Sequence, residues 1–117
     1  MNFDKNIPIY IQIEEQIKLD IITNKYKPGE KIKSVREFAL ELKINPNTIN
    51  RALLELEEQG LIITQRTNGK YITENKEIIK KEKNKLINKK IDEFIKDMKQ
   101  LEIDKTEIIK IINEKEN

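Results

Sequence analysis

Two helix starts stand eleven positions apart in this chain, at Ser34 and at Asn45, and that interval constrains the fold more than any other feature. The segment SVRE is a capping box. The Ser34 hydroxyl can accept from the Glu37 N–H, and the Glu37 carboxylate can reach back to the Ser34 N–H. Asn45 is a second N-cap, and Pro46 takes the first helical position, where a missing N–H costs nothing. About nine residues fit between the two starts before KIN. The interval therefore specifies a short helix with Val35, Phe38, Ala39 and Leu42 along one side, a turn, and a second helix.

That second helix has two unlike sides. Ile44 before the cap and Ile49 inside the helix form a hydrophobic staple. Ile49, Ala52, Leu53 and Leu56 continue the apolar face, and Gly60 ends the helix. Asn47, Thr48, Asn50 and Arg51 crowd the first two turns on the other side, although helix stability needs none of that chemistry. Upstream, Tyr10, Ile13, Ile17 and Ile21 share one face of a helix expected from Pro8 to about Thr23, with Asn24 as its left-handed stop. KYKPGEK then reads as a turn. Downstream, LIITQ and YIT read as two short strands around RTNGK, with Asn68-Gly69 supplying positions that tolerate positive φ.

From Lys76 the chain changes character. The remaining 42 residues contain no Gly or Pro. Ile87, Ile91, Phe94, Met98 and Leu101 alternate at spacings of four and three, the seam of a coiled-coil helix. Asp104 and Glu107 make another capping box, with Ile103 and Ile108 as its staple. The expectation is a helix over residues 76–101, a turn near Glu102–Asp104, and a last helix over about 105–115. One unbroken helix is the alternative, because Ile108 and Ile112 prolong the seam, but it would set Lys105 in a seam position.

No cysteine and no histidine occur among the 117 residues. That excludes disulfides, thiol nucleophiles, imidazole bases and zinc sites built from Cys or His. Carboxylates and lysines are not grouped around a nucleophile or a phosphate loop, so a non-catalytic protein without metal or cofactor is expected. No apolar run reaches the roughly 18 residues of a membrane span. Asp4 and Lys5 argue against a signal peptide, and a cytoplasmic location is expected. The formal charge of +2 indicates no particular partner. Residues 1–75 carry eleven bases and eleven acids, yet Lys31–Arg36 holds three bases without an acid, and Lys43–Arg51 holds two.

A helix that reads duplex DNA enters the major groove with its N-terminal end near the bases. Asn pairs bidentately with adenine and Arg with guanine, while Thr hydroxyls and helix-start N–H groups bind phosphate. Asn47 and Asn50 are thus candidates for base edges, and Thr48 and Arg51 for phosphate and base together. Asn45 and Ser34 are caps first and DNA contacts second; the helix start at Ser34 could also bind a phosphate. Aromatic residues do not interleave with basic ones, which favours duplex DNA over stacked single strands.

The order helix, turn, short helix, turn, longer helix and hairpin is that of a winged helix-turn-helix. PIYIQIEEQI, KPGEKIKSVREFALEL, INPNTINRALLELEEQGLI and RTNGKYIT resemble successive blocks of the GntR family of bacterial transcription regulators, over residues 8–73. NPNT and the short helical tail resemble its YtrA subfamily, whose members dimerise through such a tail. The resemblance implies a mainly α protein, with a winged helix-turn-helix domain over residues 1–75 and a two-helix dimerisation tail over 76–117. It also implies DNA contacts from Arg36 and from Arg66, Asn68, Gly69 and Lys70 in the wing. The chain departs from the family pattern at Lys33, where proline is usual, and at Asn24, Lys43 and Thr67, where glycine is frequent. Lys43 and Thr67 would each be strained by roughly 1 kcal/mol at positive φ. Pro46 and Asn50 stand where many relatives have arginine, so base specificity does not transfer.

One short recognition helix covers too few base pairs for specificity in a genome, and two copies about a two-fold axis solve this. Ile87, Ile91, Phe94, Met98, Leu101, Ile108 and Ile112 are the expected dimer contacts. The implied function is a repressor on a pseudo-palindromic operator, with room for an unidentified small-molecule effector. The alternative is a winged-helix adaptor that docks proteins and binds no operator.

Overall fold

The computed structural model describes residues 2–115; Met1 and residues 116–117, which close the two expected spans, lie outside the described residues. Among the described residues, five helices and one hairpin follow in the order α1 (Ile9–Ile22), α2 (Val35–Leu42), α3 (Pro46–Glu58), β1 (Ile62–Gln65), β2 (Gly69–Ile72), α4 (Lys76–Gln100) and α5 (Lys105–Glu114). Packing divides the chain into two compact units, Met1–Glu82 and Lys83–Asn117.

In the first unit α1 presents Ile13, Ile17 and Ile21 inward, and α2 contributes Phe38 and Ala39. Ile49, Ala52, Leu53 and Leu56 of α3 are wholly removed from solvent and form the centre of the core. Leu61, Ile62 and Ile72 close it from the hairpin side, while Val35, Leu42, Ile44 and Tyr10 pack around its edge. The periodicity of the sequence thus places the core residues of all three helices on the faces where they are found.

Local signals set the helix boundaries. Both halves of the Ser34 capping box form. Asn24 and Lys43 both adopt the left-handed conformation that stops a helix, at φ 64 and φ 57. Lys43 therefore carries the Cβ penalty that glycine avoids. Thr67 is not among the positive-φ residues, so the strain expected there does not arise.

The hairpin differs from its expected form in two ways. β2 begins at Gly69, and the register runs from Ile62 opposite Ile72 to Gln65 opposite Gly69. The turn is thus Arg66–Asn68, with Gly69 alone at positive φ (108). Residues 29–31, read as turn, and Ile32 after them also pair with the outer side of β2. The Gly29 N–H donates to the Ile72 carbonyl at 2.9 Å, the Ile72 N–H to Glu30 at 2.9 Å, and the Ile32 N–H to Lys70 at 3.0 Å. Lys31 and Tyr71 form the bridge between them. These bonds satisfy backbone groups along the edge of β2.

Asn75 starts α4, its Oδ1 accepting from the Glu77 N–H at 3.0 Å. The helix ends at Gln100, and Glu102 at φ 60 turns the chain before Asp104 caps α5 by accepting from the Glu107 N–H at 2.9 Å. The two-helix tail is observed rather than the unbroken helix. In the second unit the seam residues Ile87, Ile91, Phe94, Leu101 and Ile112 are exposed, and Met98 and Ile108 are half-buried. No helix among the described residues is long and apolar enough to cross a membrane.

Candidate nucleic-acid interface

The amino end of α3 is the centre of the site. Asn45 Oδ1 accepts from the Asn47 N–H at 2.8 Å, so its side chain is committed to the cap. The Thr48 N–H donates to the Asn45 carbonyl at 3.0 Å. Pro46 has no N–H. The first three helical positions therefore offer no free backbone donor, and a phosphate here must be held by side chains rather than by the helix-start N–H groups expected from the sequence.

Those side chains are available. Asn47 and Asn50 are exposed, Thr48 is half-buried, and Ile49 between them is fully buried. The helix thus turns amides outward while its apolar side carries the core. Arg51 is exposed too, but it does not hang free: its Cζ lies 3.9 Å from the centre of the Tyr10 ring. The sequence placed Tyr10 on the apolar face of α1, and nothing in it linked that ring to Arg51.

α2 borders this surface. Ser34 Oγ accepts from the Glu37 N–H at 3.1 Å, and Glu37 Oε1 accepts from the Ser34 N–H at 3.0 Å. The Ser34 backbone bond, followed by its hydroxyl, holds the Glu37 carboxyl below its usual range. Arg36 is exposed. Lys33 makes an ion pair with Glu41, whose hydrogen bond raises the lysine's pKa. Of the three bases in Lys31–Arg36, Lys33 is therefore already paired with a carboxylate of α2.

The wing divides its residues between solvent and protein. Arg66, Asn68 and Gly69 are exposed at the tip. Gly69 has a positive φ that a side chain would strain, and a Cβ there would also press on the Lys31 Cε at 3.2 Å, so glycine is favoured. Lys70 instead turns back. It is half-buried, with its Nζ paired to Glu57 of α3 and 3.0 Å from Thr64 Oγ1. Thr64 also donates to Glu57. Burial pushes the Glu57 carboxyl up, but the hydrogen bonds from Lys70 and Thr64 and the lysine charge overcome it and hold the pKa below 4.5. Glu57 thus fastens the wing to α3. A spacing of thirteen positions across a turn gave no sign of this in the sequence.

This geometry has counterparts among known proteins. Residues 9–72 match the model of the bacterial regulatory proteins, gntR family. The HTH-type transcriptional repressor YtrA of Bacillus subtilis is 42% identical over 97 residues, which cover 83% of this chain and 70% of that protein. A GntR family transcriptional regulator from Listeria monocytogenes superposes with a TM-score of 0.90 at 43% identity, covering 97% of this chain and all of that one. A crystal structure of AraR(DBD) in complex with operator ORE1 superposes with a TM-score of 0.55 at 26% identity, over 62% of this chain and 90% of that one. The match spans the winged helix from α1 to β2, and the chain accordingly belongs to the gntR family of bacterial regulatory proteins, with a YtrA-like relationship within it.

Proposed function

We propose that the protein is a sequence-specific regulator of transcription that binds double-stranded DNA, a repressor occupying a pseudo-palindromic operator as a homodimer in the cytoplasm. One observation carries this. The outward side of α3 bears Asn47, Asn50 and Arg51 on its first two turns, while Ile49, Ala52, Leu53 and Leu56 anchor the same helix in the core. A rigidly held helix end with exposed amides and a guanidinium suits base edges in a major groove. Arg36 and the wing tip residues Arg66 and Asn68, all exposed, serve as phosphate or minor-groove contacts, and Ser34, Asn45 and Gly69 shape the backbone that presents them. Lys70 serves the wing's attachment, and Thr48 a phosphate.

In this proposal residues 1–75 bind DNA and residues 76–117 dimerise. Support for the second part is the apolar stripe itself. Ile91 is 50% exposed and Leu101 70%, an arrangement that a lone chain gains nothing from leaving in water. The names of relatives agree with the proposal: YtrA is a repressor, and the AraR domain was solved with an operator.

The test is binding of the full-length protein to the DNA upstream of its own gene at several salt concentrations. Sequence preference with a linear fall of log K against log salt is expected. Absence of binding at every salt concentration would favour the adaptor, with the winged helix as a protein-docking surface.

A further inference from the structure

We propose that Tyr10 is a positioning residue that fixes the plane of the Arg51 guanidinium, so that its edge reads one guanine in each operator half-site; this rests on the DNA-binding function proposed above. Tyr10 lies in the first turn of α1 and is packed against the core, so its ring is held from behind. Arg51 is exposed on α3, and its Cζ lies over that ring, 3.9 Å from its centre, close enough for the guanidinium to stack on it. Stacking occupies only the face of a guanidinium. Its N–H groups lie in the plane and stay free along the edge.

The two targets open to an arginine differ in what they demand. Guanine O6 and N7 need two parallel N–H groups at a set angle. A phosphate can also take the fork bidentately, but its several oxygens accept it over a range of orientations, so it depends less on one fixed plane. A ring that immobilises the plane therefore favours the base. α3 contains no other arginine and no lysine, while Asn47 and Asn50 carry the amides suited to adenine. Each half-site would thus hold a single guanine read by α3, among adenines. Holding the side chain in place beforehand also reduces the entropy lost on binding.

The experiment selects preferred duplexes from a randomised library with the full-length protein. It then measures binding of point-substituted duplexes by wild-type protein and by Y10F, Y10L, R51K, R51A and the Y10L/R51A double variant. In the wild type one guanine per half-site is expected to discriminate by about tenfold or more. Y10F, which keeps the ring, should match it. Y10L should lose about three- to fivefold of that discrimination at this position alone. R51A should abolish it, and Y10L should add nothing in the R51A background. R51K should lose the discrimination while keeping the salt slope.

Equal discrimination by Y10L and wild type overturns the proposal. So does an R51A protein that loses affinity uniformly across sequences with a shallower salt slope, the mark of a phosphate contact. A second measurement does not depend on any variant folding. The Arg51 side-chain proton resonances should show an upfield ring-current displacement that persists in the operator complex, and its disappearance on binding overturns the proposal. A wild-type protein with no sequence preference would instead sink the regulator function itself, and the role of Tyr10 with it.

Discussion

Lys43 ends α2 at φ 57, a conformation in which a Cβ crowds the following carbonyl. Its N–H donates to the Ala39 carbonyl, so the turn into α3 depends on this backbone shape rather than on the lysine side chain. Lys43→Gly should therefore raise stability by about 1 kcal/mol, read as a higher urea midpoint with an unchanged slope. An unaltered or lower midpoint would show that the lysine side chain compensates for its backbone. Glu57 gives a prediction in pH. Its pKa in the folded protein lies below the ordinary 4.5, so its carboxylate adds stability above that pH and loses it as pH falls through the folded value. Amide resonances of Thr64–Lys70 should shift together below pH 4.5 in the wild type and stay level there in E57Q. A wing that responds identically in both proteins would remove Glu57 from its attachment.

At the level of elements, the sequence made legible whatever is decided within a few residues. The Ser34 box, the Asn45 cap with its proline, the stop at Asn24 and the cap at Asp104 each need one short side chain and a neighbouring N–H. They placed α2, α3 and α5 to within a residue or so. Features decided by chain-distant partners were not legible. Residues 29–32 have no strand signature of their own and become extended only because β2 offers an unpaired edge. Lys70 looks like any exposed wing lysine until α3 brings Glu57 beside it. Arg51 was readable as an outward-facing group from its helix position, but its contact with Tyr10 depends on how α1 crosses α3.

For the whole molecule, the compact boundary at Glu82 makes truncation a sharp test. Ile78 and Ile79 at the start of α4 pack against the core of the winged helix. A chain ending after Glu82 should fold, sediment as a monomer and bind operator weakly, whereas one ending after Thr73 should be markedly less stable because that cover is gone. Phe94→Asp in the full chain should likewise yield a folded monomer, with operator affinity reduced by about a hundredfold or more through lost bivalency. A Phe94→Asp protein that still sediments as a dimer would place the contact elsewhere. The bolt between Glu57 and Lys70 reaches further, into how such a molecule changes over generations. An ammonium stranded without its carboxylate in that half-sheltered spot is a poor intermediate, so drift at either position should be tolerated only when the other follows. Descendants of a common ancestor should then keep acid and base together or discard both, tying inheritance in the wing to inheritance in the helix beside it.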